Sequence, residues 1–126
     1  MALAAFLLGC FLTSAIVGLL VCALVVLFGT RAEVSAWATV NLVMVFCGIY
    51  YPVSVLPESV SALAGLFPLT YVLDAFRSHY GFASTFGSPL LTGFALSALY
   101  LGLAHWALTR AITRCRRTGA LLKLSE

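Results

Sequence analysis

The sequence has few charged residues, and only four of them are acidic. Charged residues make up 9% of the 126 positions, whereas they make up about 25% of an average soluble domain. The first charged side chain is Arg31. At 63% hydrophobic residues, the chain has too little polar surface to cover a globule in water. This excludes a soluble enzyme, a disordered regulator and a nucleic-acid-binding domain, and it predicts an integral membrane protein.

Patterns that carry catalysis or bind metals are also absent from the sequence. The four cysteines show neither a CxxC motif nor Cys/His spacing, which argues against a zinc site and against a disulfide framework. The acidic residues are too dispersed to form a carboxylate pair, and no Gly-x-x-x-x-Gly-Lys-Ser/Thr sequence is present to bind ATP. We therefore expect a protein that is not an enzyme and that uses no cofactor or metal.

Long apolar runs predict the fold class. A bilayer core of about 30 Å requires roughly 20 residues of helix. The runs give three spans, at approximately residues 4–28, 34–51 and 89–112. They are continuous and do not alternate with polar residues, which favours helices over a β-barrel. The sequence therefore predicts a single all-α integral membrane domain with three transmembrane helices.

Residues 52–88, between the second and third spans, have a different composition. They contain Pro52, Pro57 and Pro68, which forbid one unbroken helix. Two short helices are predicted, Ser59–Phe67 and Pro68–Tyr80, because proline suits the first turn of a helix. We expect a re-entrant or interfacial helical hairpin. The alternative is a plain extracellular loop.

The basic residues predict the orientation in the membrane. Five of the seven lie in the last 17 positions, so residues 113–126 form a basic tail that should be cytoplasmic. With three spans, residues 52–88 and the N-terminus then lie outside. An exported N-terminus that has no signal of its own leads us to expect a segment before Met1. The predicted location is a multi-pass position in the cell membrane.

A few polar and small residues in the apolar runs have predicted packing roles. Asp74 and Arg77 are three positions apart and are expected to pair on one helix face, and Asn41 is expected to bond to a neighbouring helix. Small residues recur four positions apart, which lets helices approach closely either within one subunit or between two. These small pairs are Ala5/Gly9, Ser14/Gly18, Gly93/Ser97 and Ala98/Gly102.

The proline-containing segment also carries an ordered set of motifs. It reads Gly48-Ile-Tyr-Tyr-Pro-Val-Ser-Val-Leu-Pro57, then Phe67-Pro-Leu-Thr-Tyr71, then Asp74-Ala-Phe-Arg77. This set resembles the C-terminal half of ABC-2 type transporter permeases, which have a Gly-x-x-x-Pro-x-x-x-Leu-Pro run after the fifth span and Pro-Leu-Thr-Tyr and an Arg before the sixth. The three predicted spans would then correspond to the fourth, fifth and sixth spans of the family.

The resemblance implies an ATP-driven exporter, in which this chain forms part of the translocation pathway and the outer gate. The implied partners are an ATP-binding cassette ATPase subunit, which hydrolyses the ATP, a second permease copy or N-terminal permease half, and membrane lipid, but no nucleic acid. The residues expected to shape the gate are Asn41, Pro52, Pro57, Pro68, Tyr71, Asp74 and Arg77.

The elements of the family's first half, including the cytoplasmic coupling helix that contacts the ATPase, have no counterpart in this sequence. The alternative interpretation is therefore a truncated or split permease remnant that acts only as a non-transporting membrane interaction partner.

Overall fold

The computed structural model describes residues 1–119, and every regular element within them is helical. This confirms the all-α class, while residues 120–126 of the predicted tail lie outside the described residues. Short 3-10 turns cover Gly29–Arg31 and Val53–Val55. The α-helices are α1 Ala2–Phe28, α2 Ala32–Phe46, α3 Glu58–Ala64, α4 Pro68–His79 and α5 Pro89–Thr118.

Two helical stretches in the described residues are long and apolar enough to cross a membrane. They are Ala2–Phe46, which contains an 18-residue window with a mean hydropathy of 2.8, and Pro89–Thr118, which contains one with a mean of 1.4. The pair α3 and α4, bent by 100°, would add a third crossing if it formed one broken span.

The predicted second span, residues 34–51, is only partly helical. Helix α2 ends at Phe46 and is about 22 Å long, shorter than a bilayer core of about 30 Å. Two residues interrupt the helical hydrogen bonding beyond it: Gly48, with a φ of +72°, and Pro52, which has no N–H.

The stretch Ala2–Phe46 folds back on itself at Gly29. Gly29 has a φ of +74°, which residues with a Cβ rarely adopt, and the 3-10 turn follows it directly. Cys10 of α1 and Met44 of α2 line the same cavity, although 34 residues of straight helix would separate them by about 50 Å. Helices α1 and α2 therefore run in opposite directions.

Helices α1 and α5 run in the same direction and pack closely through small residues. Near the start of each helix, a Cβ added at Gly9 or at Gly93 would meet Val72 of α4, at 2.5 Å and 3.3 Å. Near the other end, the Cys115 thiol donates a hydrogen bond to the Val26 carbonyl, 2.9 Å away. Of the buried residues of α5, Gly93 faces α4 and Cys115 contacts α1. The buried residues recur at helical spacing: Gly93, Ser97, Ala104, Ala111 and Cys115.

Two of the four small-residue pairs, Ala5/Gly9 and Gly93/Ser97, are packed inside this chain. Gly9, Gly93 and Ser97 are buried, and Ala5 is partly buried. The other two pairs are exposed, and a Cβ added at Gly18 or Gly102 would meet nothing within 4 Å. The close approach that the small pairs predicted therefore occurs at Gly9 and Gly93.

Candidate functional site

The segment for which a hairpin was predicted contains a sharp corner between α3 and α4. Pro68 occupies the first turn of α4, as predicted, and α4 extends to His79. Helix α3 is shorter than predicted, since it ends at Ala64. The buried Thr70 hydroxyl donates a 2.7 Å hydrogen bond to the Ala64 carbonyl at the end of α3, which also accepts from the Phe67 N–H at 3.1 Å. This bond ties the two helices together at their 100° bend.

Arg77 joins the end of α4 to the segment that follows α2. Its Nη2 donates to the carbonyls of Gly48 and Ile49, and its Nη1 reaches the carbonyl of Tyr51 at 3.5 Å. These carbonyls lie where the α-helix has ended, so they have no helical donors. A guanidinium presents several N–H groups in a rigid fork, which allows one side chain to serve all three carbonyls.

Asp74 binds the loop that leads into α5. Its carboxylate accepts hydrogen bonds from the Ser84 hydroxyl at 2.9 Å, from the Thr85 N–H at 3.1 Å and from the Phe86 N–H at 3.3 Å. Hydrogen bonds to a charged acceptor are stronger than neutral ones. Asp74 therefore fixes the path of the chain between α4 and α5.

The ion pair predicted between Asp74 and Arg77 is replaced by these separate contacts. Both residues lie on α4 and both are partly buried, but Arg77 bonds toward α2 and Asp74 bonds toward α5. The physical reason is that backbone groups without helical partners lie on both sides of α4. Hydrogen bonds to them are more favourable than a solvent-screened ion pair, which contributes only about 0–1 kcal/mol.

Tyr71 packs the inner side of the corner against the start of α5. Its ring lies 4.4 Å from the ring of Phe86, and its Cβ is one of the atoms that a Cβ at Gly93 would meet. The Pro68 carbonyl lies at the same place, 3.3 Å from that position. Helix α4 thus contacts its neighbours on two sides. Arg77 binds the segment after α2, whereas Pro68, Tyr71 and Asp74 contact the start of α5 and the loop before it.

The other predicted residues lie outside this cluster. Pro52 and Pro57 are exposed and precede the second 3-10 turn and α3, so they direct the chain at these two points. Asn41 is exposed on α2, and its amide donates to the Trp37 carbonyl of its own helix at 2.9 Å. The predicted bond from Asn41 to another helix is therefore wrong within this chain.

A cavity of about 470 Å³ separates α1 from α2. Its walls are mostly apolar, with the hydroxyl groups of Thr13 and Ser14 on the α1 side. Ile49 and Leu69 line the end of this cavity that is nearest to α4, and Leu69 is buried. The Arg77 contacts therefore hold the backbone of the segment that contributes Ile49 to the cavity wall.

The sequence did not single out several residues that the site uses. Thr70 and Gly48 belong to the quoted motifs, but their hydrogen-bond partners could not be inferred from spacing. In the sequence, nothing in Ser84–Phe86 indicated that this loop would bind Asp74. Among residues 1–119, no group of three or more His, Cys, Asp or Glu side chains is arranged to hold a metal ion.

Comparisons with protein-family models, with curated proteins and with solved structures gave no match to this chain.

Proposed function

We propose that this chain is a membrane-spanning permease component of an ATP-driven exporter of the ABC-2 type, and that the α3–α4 corner is part of its outer gate. The observation that carries this proposal is the position of Leu69 and Ile49 at one end of the cavity between α1 and α2. Leu69 belongs to α4, and Ile49 belongs to the segment that Arg77 of α4 binds, so a movement of α4 would open or close that end.

The packing of Val72 supports a mechanical role for α4. Only 1% of its surface is exposed, because it lies between Gly9 of α1 and Gly93 of α5. In the proposed mechanism, ATP binding on a partner subunit shifts α1 relative to α5. Val72 transmits the shift to α4, since a close-packed contact cannot absorb it. Through its hydrogen bonds, Arg77 then moves the end of α2, and Asp74 moves the loop before α5.

The proposal includes three membrane crossings and a cytoplasmic C-terminus. Alternating directions of α1, α2 and α5 support it, as does the concentration of arginines at the end of α5. The partly unwound end of α2 is compatible with a crossing, because irregular backbone at membrane depth is tolerated where protein satisfies its polar groups. Arg77 does so here.

The first test is the accessibility of cysteines added one at a time to the full chain in intact cells. Ser59→Cys, exposed on α3, should react with a membrane-impermeant maleimide from outside. Thr118→Cys, exposed at the end of α5, should react only after permeabilisation. The unmodified chain controls for its four native cysteines. Labelling of Ser59→Cys only from the cytoplasmic side would contradict the proposed gate.

The second test separates a transporter from a non-transporting remnant. After mild solubilisation, a tag at Glu126 should recover an ATP-binding cassette ATPase and a further permease copy or half. In the recovered complex, ATP should change the labelling rate of Ser59→Cys but not that of Thr118→Cys. If no ATPase is recovered and ATP leaves both rates unchanged, the non-transporting interpretation replaces the transporter.

A further inference from the structure

A second cavity, of about 610 Å³, lies where α5 and α1 end together. Three arginines of α5 line it: Arg110, Arg114 and Arg117. They are four and three positions apart, so they share one face of the helix. Leu27 of α1 forms the opposite wall, and the hydrogen bond from Cys115 to Val26 fixes that wall beside the arginines.

The charge and the aromatic edge of this cavity define its ligand. None of the lining residues in the described part of the chain carries a carboxylate. The Arg110 guanidinium carbon lies over the Trp106 ring, 4.8 Å from its centroid, in a cation–π contact. Tryptophan is typical of the level of lipid headgroups, and arginine forks suit phosphate oxygens.

We infer that this cavity binds the phosphate headgroup of an anionic phospholipid. Thr113 and Thr118 line the same cavity, but their hydroxyls donate to the Thr109 and Arg114 carbonyls within α5, so the three arginines supply the donors. Leu27 and Ala107 provide an apolar wall for the upper part of an acyl chain. A basic pocket between helices at the membrane surface is a known form of headgroup site. The inference depends on the membrane location of the chain and not on its proposed transport activity.

The arginine on the opposite side of α5 provides a matched control. Arg116 lies between Arg114 and Arg117 and is also exposed, but it does not line the cavity. Its direction from the helix axis differs from that of Arg110 by about 120°, at 100° per residue. Arg116→Gln therefore removes the same charge at the same depth without altering the site, and glutamine preserves the helix.

The experiment measures lipid binding to the detergent-solubilised full chain by native mass spectrometry. The probes are phosphatidylglycerol and the zwitterionic phosphatidylcholine. We expect one phosphatidylglycerol to bind in preference to phosphatidylcholine, with about fivefold weaker binding for each of Arg110, Arg114 and Arg117 changed to Gln. Arg116→Gln should bind like the unmodified chain. The proposed site would be refuted if Arg116→Gln weakened phosphatidylglycerol binding as much as the other three variants, or if the two lipids bound equally well.

A second readout locates the lipid and separates it from free phosphate. In a Trp37→Phe background, phosphatidylglycerol with brominated acyl chains should quench Trp106 more than brominated phosphatidylcholine does. The Arg110/Arg114/Arg117 triple variant should remove this difference, whereas millimolar inorganic phosphate should leave it in place. A headgroup site would be refuted if inorganic phosphate abolished the difference in Trp106 quenching between the two lipids. It would also be refuted if the triple variant left that difference unchanged. Circular dichroism of each variant establishes that the helices persist.

Discussion

Arg77 donates hydrogen bonds to the carbonyl of Gly48, a residue that precedes it by 29 positions. This relationship joins the last turn of α4 to the point where α2 has unwound. Asp74, one turn earlier on α4, binds the chain on the opposite side, at Thr85 and Phe86. Helix α4 is therefore held from both sides by backbone groups that have no helical partner.

Replacing Arg77 should loosen the end of α2. Charge-assisted bonds to buried or partly buried carbonyls contribute about 1.5–3 kcal/mol, so Arg77→Gln should lower the free energy of unfolding by about that amount. Arg77→Lys, which keeps the charge but lacks the fork, should lose less. SDS titration in detergent micelles, followed by tryptophan fluorescence, measures the change. The exposed Arg116→Gln is the control, and an equal effect there would refute a specific role for Arg77.

Replacing Asp74 should release the loop before α5 without unfolding the bundle. Asp74→Asn keeps one acceptor oxygen but loses the charge that strengthens the bonds from Ser84, Thr85 and Phe86. Amide exchange at Thr85 and Phe86 should become at least about tenfold faster, which corresponds to 1.4 kcal/mol. Hydrogen–deuterium exchange with mass spectrometry measures this rate. The exposed Glu58→Gln on α3 should leave the loop unchanged, and unaltered exchange in Asp74→Asn would contradict the anchoring role.

The contact between α1 and α4 should not tolerate a methyl group at Gly9. A Cβ there would lie 2.5 Å from Val72 Cγ1, whereas a Cβ at Gly18 on the same helix would meet nothing within 4 Å. Gly9→Ala should therefore destabilise by about 1–3 kcal/mol through overpacking. Gly18→Ala should be neutral or stabilise by up to about 1 kcal/mol, since alanine favours the helix. Unfolding in SDS compares the pair, and equal stabilities would show that Gly9 does not contact Val72 closely.

Removing the Thr70 hydroxyl should weaken the corner between α3 and α4. Thr70→Val keeps the shape of the side chain but removes one of the two hydrogen bonds to the Ala64 carbonyl, which still accepts from the Phe67 N–H, so the expected cost is about 0.5–1.5 kcal/mol. Thr109→Val is the matched control, because the exposed Thr109 hydroxyl bonds only to the His105 carbonyl of its own helix. That change should stay within about 0.5 kcal/mol. Proteolysis of the region around Gly65, compared between the two variants, reports opening of the corner directly.

The sequence alone predicted the elements of this protein well. Apolar runs without charge require helices, because backbone groups in an apolar environment must bond within their own segment. The starts of α4 and α5 follow from Pro68 and Pro89, which lie in the first turn of each helix. The proline-containing segment between the long helices was correctly expected to form two short helices. These features depend on local chemistry, which the sequence contains in full.

The partners of the polar side chains were decided only by the tertiary structure. Spacing on α4 put Asp74 and Arg77 within reach of each other, but the folded chain offered stronger partners to each. Asn41 was expected to reach a second helix, yet α2 stands apart from α1 across a cavity and Asn41 bonds to its own helix. The small residues predicted close helix contacts. Only the folded arrangement of the helices determined that these contacts form at Gly9 and Gly93 and that Gly18 stays exposed. A hydrogen bond across 29 residues depends on where α2 ends and on how α4 is oriented after the α3–α4 corner, and no local pattern specifies either.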